Sequence, residues 1–447
     1  MAYAPPADIL EVLQRIEYEE PLGPEDERYV DTREARGSQR TLDRLARKLG
    51  LLLADGRFFA PRQKHVLFFG HTGSGKTTEL LHYAIHLQGA DRFFLVDLDI
   101  TKDLDRNNLK YADTLMAMAR ALFSRLQEAE IALDGNALRP LEEWFSERVL
   151  STEAGRELQA ELTTGADGQG GLPGLIKLFA TFTAAFKANV TYKDELRRVV
   201  RNGFGHLADA FNDLLHRVED KLQATGKGRR VLFMIDGTDK LRGADTREFF
   251  IHDAEQLLAI EALVVYTAPL SLKYEGNLAG KLDSDLVLPM IKLADQDGTP
   301  YPAGRGAVRD ILLKRADRSL FAAEGDIDRL VEHCGGHPRE LLRLLKLCCE
   351  FAEDLCIDSA TVDAAIRQLA SEYRRFLEPE DYALLARIDR DNSHAGNDER
   401  TRRLLYNLAL LEYNDGTWRR SHPVVRILEG YRSAAARLAA ADTAPSP

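Results

Sequence analysis

Cysteine is scarce in this chain of 447 residues: there are four, Cys334, Cys348, Cys349 and Cys356, all in one stretch with a helical pattern. None forms a Cys-x-x-Cys pair, which excludes a zinc ribbon. Free thiols at this density fit a reducing compartment. The run His333-Cys334-Gly335-Gly336-His337 matches no zinc spacing and reads as a helix end followed by a glycine turn. Positive charge is also in deficit, 60 Lys and Arg against 71 Asp and Glu, a net charge of −11. A generally basic binder of nucleic acid or membrane surface is thereby excluded, though a local basic face is not. No run approaches the ~18 apolar residues that a membrane span needs. The start, Met1 to Pro6, has neither the basic nor the apolar region of a signal peptide. The expectation is a cytoplasmic protein without a membrane partner. There is no internal repeat and no guanine-reading Asn-Lys-x-Asp motif.

What is present is ordinary globular composition, 45% hydrophobic and 29% charged, at a length that allows two or three domains of ~100–200 residues each. Residues 1–36 are acidic, polar and broken by Pro5, Pro6, Pro21 and Pro24. The leucines at 42, 45, 49, 52 and 53 predict a helix over 39–54. Short runs that are apolar at consecutive positions follow at 66–69, 93–98, 231–235, 263–267 and 286–291. Strands of a parallel sheet, buried on both faces, have this pattern, and helical segments between them supply the crossovers.

The interval between the second and third runs predicts a helical insertion over about 100–230, with helices at 111–130, 138–150 and 194–222 and a glycine-rich loop at 163–174. Phe179, Phe182 and Phe186 share one helical face, which reads as packing against neighbouring helices, with a membrane- or partner-binding helix as the alternative. Residues 305–370 read as all helix. Beyond them, 379–430 read as helix, helix, hairpin, helix, with Asn414-Asp415-Gly416 as the hairpin turn. That order is the pattern of a winged helix. The alanine-rich tail from Ser433 is expected to be frayed. The expected architecture is α/β: an N-terminal extension (1–36), a five-stranded parallel P-loop NTPase core (37–300), an all-α lid (301–372), a winged helix (373–432) and a disordered tail (433–447).

The chemistry starts at Gly70-His71-Thr72-Gly73-Ser74-Gly75-Lys76-Thr77, an unbroken G-x-x-x-x-G-K-[ST] between an apolar run and a helical segment. The glycines let the backbone wrap phosphate oxygens with its N–H groups. Lys76 is expected on the β- and γ-phosphates, Thr77 on Mg²⁺ and Thr78 near the α-phosphate. A second element is Val231 to Asp236, an apolar strand ending in an acid that would orient Mg²⁺ beside Thr77. Asp239, three residues on, is a candidate to polarise the attacking water, or else a surface turn residue. Thr267 ends a third strand, placed between the P-loop strand and the acid strand, where a polar side chain can sense the γ-phosphate; a threonine that merely ends a buried strand is the alternative. A fourth element is Gly335-Gly336-His337-Pro338-Arg339-Glu340-Leu341, a glycine turn with proline at a helix start.

These four elements, in this order, resemble the AAA+ and STAND ATPases across roughly residues 30–430. Ile235-Asp236-Gly237-Thr238-Asp239 is similar to the NACHT-type acid strand, with Thr238 in place of an apolar residue and Lys240 where a second acid often stands. Gly336-His337-Pro338 resembles the GxP motif of STAND lids, whose proline packs on adenine, and Arg339 falls where AAA+ relatives place a sensor-2 arginine. The resemblance implies ATP with Mg²⁺, slow hydrolysis coupled to a conformational switch, and a possible homo-oligomer with an arginine finger, for which Arg242 and Arg247 are candidates beside the simpler reading of surface residues. It also implies a sensor or effector, here expected as a separate protein partner, as in bacterial anti-phage systems. Two other functions compete. A DNA-binding ATPase of the origin-recognition type would use the winged helix, but from residue 371 onward arginines are matched by an equal number of acids, weak footing for DNA phosphates. A small-molecule kinase would not need the insertion or the winged helix.

Overall fold

The computed structural model describes residues 3–104, 109–153, 155–156, 172–187, 193–241, 243–275, 278, 281–353 and 355–443. Five parallel strands form the central sheet: β1 (Lys64–Gly70), β2 (Phe93–Asp99), β3 (Arg230–Asp236), β4 (Leu263–Pro269) and β5 (Asp283–Val287), in the spatial order β2-β3-β4-β1-β5. The register aligns their C-terminal ends, with Gly70 opposite Pro269 and Asp99 opposite Asp236. Alternate side chains serve two cores. Val66, Phe68, Leu232, Met234 and Val265 pack with Leu42, Leu45, Leu80 and Tyr83 on one face. Leu67, Phe69, Phe233, Ile235 and Tyr266 enter the larger core on the other. Because β1, β3 and β4 are covered on both faces, their apolar runs are continuous.

Helix α1 (Ile9–Arg15) begins at an Asp8 cap that accepts from the N–H groups of Leu10 and Glu11. Helix α2 (Gln39–Lys48) stops short of the predicted residue 54. Gly50 turns there at φ +86°, where a left-handed residue ends a helix, and Leu51–Leu52 pairs with Arg57–Phe58 as a short antiparallel ribbon. Helix α3 (Lys76–Leu87) follows the P-loop. The fifth strand runs three residues earlier than its apolar run predicts, because its first half is charged: Asp283 pairs with Lys48 at 2.8 Å and with Lys64 at 2.7 Å.

The insertion is helical as predicted: α4 (Tyr111–Glu128), α5 (Gly135–Trp144), α6 (Leu172–Lys187), α7 (Lys193–Asn202) and α8 (Phe204–Thr225). A buried ion pair between Asp113 and Arg197 at 2.5 Å ties α4 to α7. Phe179 packs against Phe123 and Phe145, which supports the packing reading of that face. The side chains of Phe182 and Phe186, and residues 163–171 of the glycine-rich loop, lie outside the described residues.

Four lid helices come next: α9 (Pro302–Leu313), α10 (Glu324–His333), α11 (Pro338–Phe351) and α12 (Ser359–Arg374). Of the four free cysteines, Cys348 and Cys349 lie within α11, whereas Cys334 caps α10 and Cys356 lies in a loop. The C-terminal unit is α13 (Pro379–Arg390), α14 (Glu399–Tyr406), the hairpin β6 (Leu410–Tyr413) and β7 (Trp418–Ser421), and α15 (Glu429–Thr443). The tail from Ser433 to Thr443 is therefore helical, not frayed. Ala434 is buried and Leu438 joins the core, so α15 has an apolar contact with α13 that holds it in place. The fold is α/β, that of a P-loop NTPase with a helical lid.

Candidate nucleotide site

The site lies at the C-terminal edge of the sheet. β1 delivers the chain into the loop 70–75, and α3 opens on Lys76. Gly73 and Gly75 stand at φ +84° and +97°, conformations that side-chain-bearing residues rarely adopt. Lys76 Nζ donates to the carbonyls of Gly70 at 3.1 Å and His71 at 3.0 Å. It also pairs with Asp239 Oδ2 at 2.6 Å, both groups being buried. Burial pushes the Asp239 carboxyl up, but the charge and hydrogen bond of Lys76 outweigh it and hold the group below the usual carboxylate range.

Asp236 ends β3, and its Oδ1 accepts the Thr77 hydroxyl at 2.7 Å. Burial, and then the charge of Asp239, push its carboxyl upward. A cation at this point would relieve both effects. The residues therefore fit Mg²⁺, which takes one or two protein oxygens and otherwise keeps phosphate and water ligands. Among the described residues no cluster of three or more His, Cys, Asp or Glu could hold a metal by itself. On the adjacent strand Thr267 Oγ1 accepts the Gly237 N–H at 3.1 Å and lies 3.5 Å from Asp239 Oδ1. The turn Gly237-Thr238-Asp239 is further fixed by the Thr238 hydroxyl, which donates to the Thr267 carbonyl.

Lys76, Thr77, Thr78, Asp236, Asp239 and Arg339 line one cavity of 330 Å³ with Gly73 and Gly75. Arg339 reaches it from the first turn of α11. Its guanidinium lies so close to Gly73 that a Cβ there would fall 2.6 Å from Nε. Nε is buried without a hydrogen-bond partner, and the nearest carboxylate is Glu19 at 3.9 Å. Pro338 opens into an adjoining cavity of 100 Å³ with Tyr29, Val30, Ile311 and Leu342. Of the candidate fingers, Arg247 is exposed and pairs with Glu275 at 2.5 Å, while Arg242 lies outside the described residues.

Three contacts were not predicted. His337 bonds Thr72 O through Nε2 at 3.0 Å and accepts the Glu340 N–H on Nδ1 at 3.3 Å. His71 Nε2 accepts the N–H of Glu412, on β6, at 2.9 Å. Arg36, buried in the N-terminal segment, donates to Ser74 O at 2.6 Å, Pro289 O at 2.8 Å and Thr32 Oγ1 at 2.7 Å. The lid, the hairpin and the N-terminal segment thus each hold one carbonyl or ring of the P-loop. A histidine beside Pro338 was visible in the sequence as part of its motif. Arg36 and Glu412 carry no local signal, because only the folded chain brings them to the loop.

No protein-family model matches the chain, and no curated protein matches it. Among solved structures it is similar to a Walker-type ATPase of Pyrococcus abyssi, at 13% identity over 91% of this chain and 98% of that one, TM-score 0.37. It is also similar to two variants of RuvB from Thermotoga maritima. One is 14% identical over 88% and 95% of the two chains, TM-score 0.32. The other is 13% identical over 86% and 91%, TM-score 0.31. The functional reading stands on the residues of the site.

Proposed function

We propose that this chain is an ATP-hydrolysing switch of the AAA+/STAND kind, in which the lid and a C-terminal winged helix follow the state of the nucleotide. The observation that carries the reading is the convergence of Lys76, Thr77, Asp236, Asp239 and Arg339 on one cavity. In this reading Lys76 and the loop N–H groups of residues 70–75 bind the phosphates, with Thr78 beside them. Thr77 and Asp236 hold Mg²⁺, which when bound supplies positive charge against the β- and γ-phosphate oxygens. Asp239, kept ionised by its neighbours, orients a water for attack on the γ-phosphorus, and Thr267 fixes that carboxylate. The bond to the β–γ bridging oxygen breaks as the bond to water forms, giving ADP and phosphate. Arg339, on the lid, neutralises charge on the γ-phosphate, and Pro338 packs on the base.

Because Arg339, Pro338 and His337 share one turn of α11, loss of the γ-phosphate loosens the lid at the same turn that touches the P-loop. A switch of this kind passes its state to a partner protein, and the helical insertion offers a surface for one. The test is nucleotide binding and phosphate release by the purified chain. Lys76→Ala should abolish tight binding of ATP and ADP. Asp239→Asn should bind ATP yet release phosphate at least tenfold more slowly. Tight ATP binding by Lys76→Ala would overturn the assignment of the site.

A further inference from the structure

The lid and the C-terminal unit line a second cavity, of 420 Å³, which shares no lining residue with the cavity at the P-loop. Three arginines line it from three different elements. Arg305 comes from α9, Arg420 from β7 and Arg426 from the short helix Pro423–Arg426. All three are half-buried. Guanidinium groups held out of water are normally paired. Arg419, next in sequence to Arg420, has such a partner in Glu412 at 2.8 Å. Among the described residues none of the three makes an ion pair with a carboxylate. Arg420 donates to the Gln296 carbonyl at 3.0 Å, and Arg426 Nε is buried with no hydrogen-bond partner. Among the described residues the one carboxylate on the cavity wall is the exposed Glu332, and Asp297 acts on Arg420 only through space. In a chain of net charge −11, this is a local reversal of sign inside a concavity.

We propose that this cavity binds a small, multiply charged phosphate-bearing metabolite as an effector. The volume falls in the range of small-molecule sites, roughly 300–1,000 Å³. Its form is a half-open notch between four segments, which suits a compact anion better than the continuous backbone of a duplex. Guanidinium groups from independent elements offer the forked donors that phosphate oxygens take best. The floor is rigid: Trp418 stacks on Tyr413 at 4.2 Å, and the Tyr413 hydroxyl donates to Gly335 O at 2.8 Å. Gly335 is two residues from His337, which holds the P-loop at Thr72. An anion drawn between Arg305 of the lid and Arg420 of the hairpin would clamp the two units together and favour the arrangement in which that lid turn meets the P-loop.

The experiment uses the full chain carrying Lys76→Ala, so that the P-loop does not take up the probe and the result does not depend on hydrolysis. Inorganic phosphate and pyrophosphate are titrated at constant ionic strength, with sodium chloride as control, by calorimetry and by tryptophan emission. Only two tryptophans are present, and Trp418 lies on the cavity wall. The expected result is saturable binding that Arg426→Gln and Arg305→Gln each weaken at least tenfold without lowering the melting temperature. Saturable binding that both variants retain, or no saturable binding of either probe, would overturn the proposal. So would binding of a DNA duplex, but of neither small anion, that the same variants abolish.

Discussion

His337 donates its Nε2–H to the carbonyl of Thr72 across 3.0 Å, joining the first turn of the lid helix to the middle of the P-loop. The direction is fixed by the other ring nitrogen, which accepts the Glu340 N–H and so carries no proton. The imidazole is neutral, since burial and then the charge of Arg339 keep it well below its ordinary range. Gly336, beside it, turns at φ +75°, with the Ile291 carbonyl 1.8 Å from where a Cβ would stand. His337 therefore both caps α11 and latches the lid.

Replacing His337 with Ala should leave the Thr72 carbonyl and the helix N-terminus unpaired, at a cost of about 1–3 kcal/mol. The melting temperature should fall, and ADP should dissociate several-fold faster, because Pro338 and Arg339 lose their anchor. Stopped-flow release of a fluorescent ADP checks this. Release at the wild-type rate from a stably folded His337→Ala protein would mean that the latch does not govern the lid.

Asp239 and Lys76 form a buried pair, so Asp239→Asn should act twice. It leaves the Lys76 ammonium buried with only two carbonyl partners, a destabilisation of about 3–5 kcal/mol. Nucleotide phosphates supply the missing negative charge, so saturating ATP should recover most of that loss. Hydrolysis should remain slow even when binding is restored. Thermal melts with and without nucleotide, beside phosphate-release rates, separate the two effects. Hydrolysis equal to wild type would remove Asp239 from the reaction.

Four histidines are buried in neutral form. His65 is held at about 4, His71 at about 3 and His422 at about 3, with His337 also well below its usual value; burial is the leading cause in each. Their unfolded value is ~6.5. Below that pH the unfolded chain takes up protons that the folded chain refuses, so stability is full above pH 6.5 and falls with acid. At pH 4.5 His65, His71 and His422 each cost on the order of 2–3 kcal/mol, and His337 adds in the same direction. Asp97, Asp236, Asp253 and Asp415 act with the opposite sign, because burial raises their carboxyls and favours the folded state as they protonate, whereas carboxyls held low, such as Asp239 and Asp283, add to the loss in acid. Melting temperatures should drop steeply from pH 7 to 5. A flat profile over that interval would contradict the buried neutral rings.

Much of this arrangement is legible in the sequence. The strands are, because a sheet covered on both faces writes continuous apolar runs, and four of the five runs mark their strands closely. Lys76, Thr77 and Asp236 are, because a G-x-x-x-x-G-K-[ST] run after one apolar strand and an acid at the end of another are recognisable by residue type and spacing. The end of α2 at Lys48 was missed because Leu51 is buried in a ribbon as fully as it would be in a helix, and the pattern of leucines does not tell the two apart. The helical tail was missed because alanines give little contrast between faces. Thr267 and Asp239 are nearly adjacent only because β4 lies beside β3. The contacts of the P-loop with His337, Glu412 and Arg36 depend on how distant units dock, and no local spacing encodes that.

Arg36 shows what such docking contributes. It bridges the N-terminal segment, the P-loop at Ser74 and the loop after β5 at Pro289, with Glu79 Oε1 3.8 Å from its Nε. Burial pulls its proton affinity down, opposed by the charge of Glu79. A lysine has one compact ammonium and cannot reach three acceptors in different directions. Arg36→Lys should therefore lower stability by about 2–4 kcal/mol and weaken ATP binding at least tenfold, as the Ser74 carbonyl loses its tether. Glu79 is held in turn by Thr32 at 2.6 Å, so removing Arg36 alone strands a buried carboxylate. The double variant Arg36→Met with Glu79→Gln should then be more stable than Arg36→Met, and urea denaturation measures the difference. If the double variant recovers stability but not ATP affinity, the tether to Ser74 is what the nucleotide site requires. Wild-type affinity in Arg36→Lys would show that the P-loop keeps its shape without it.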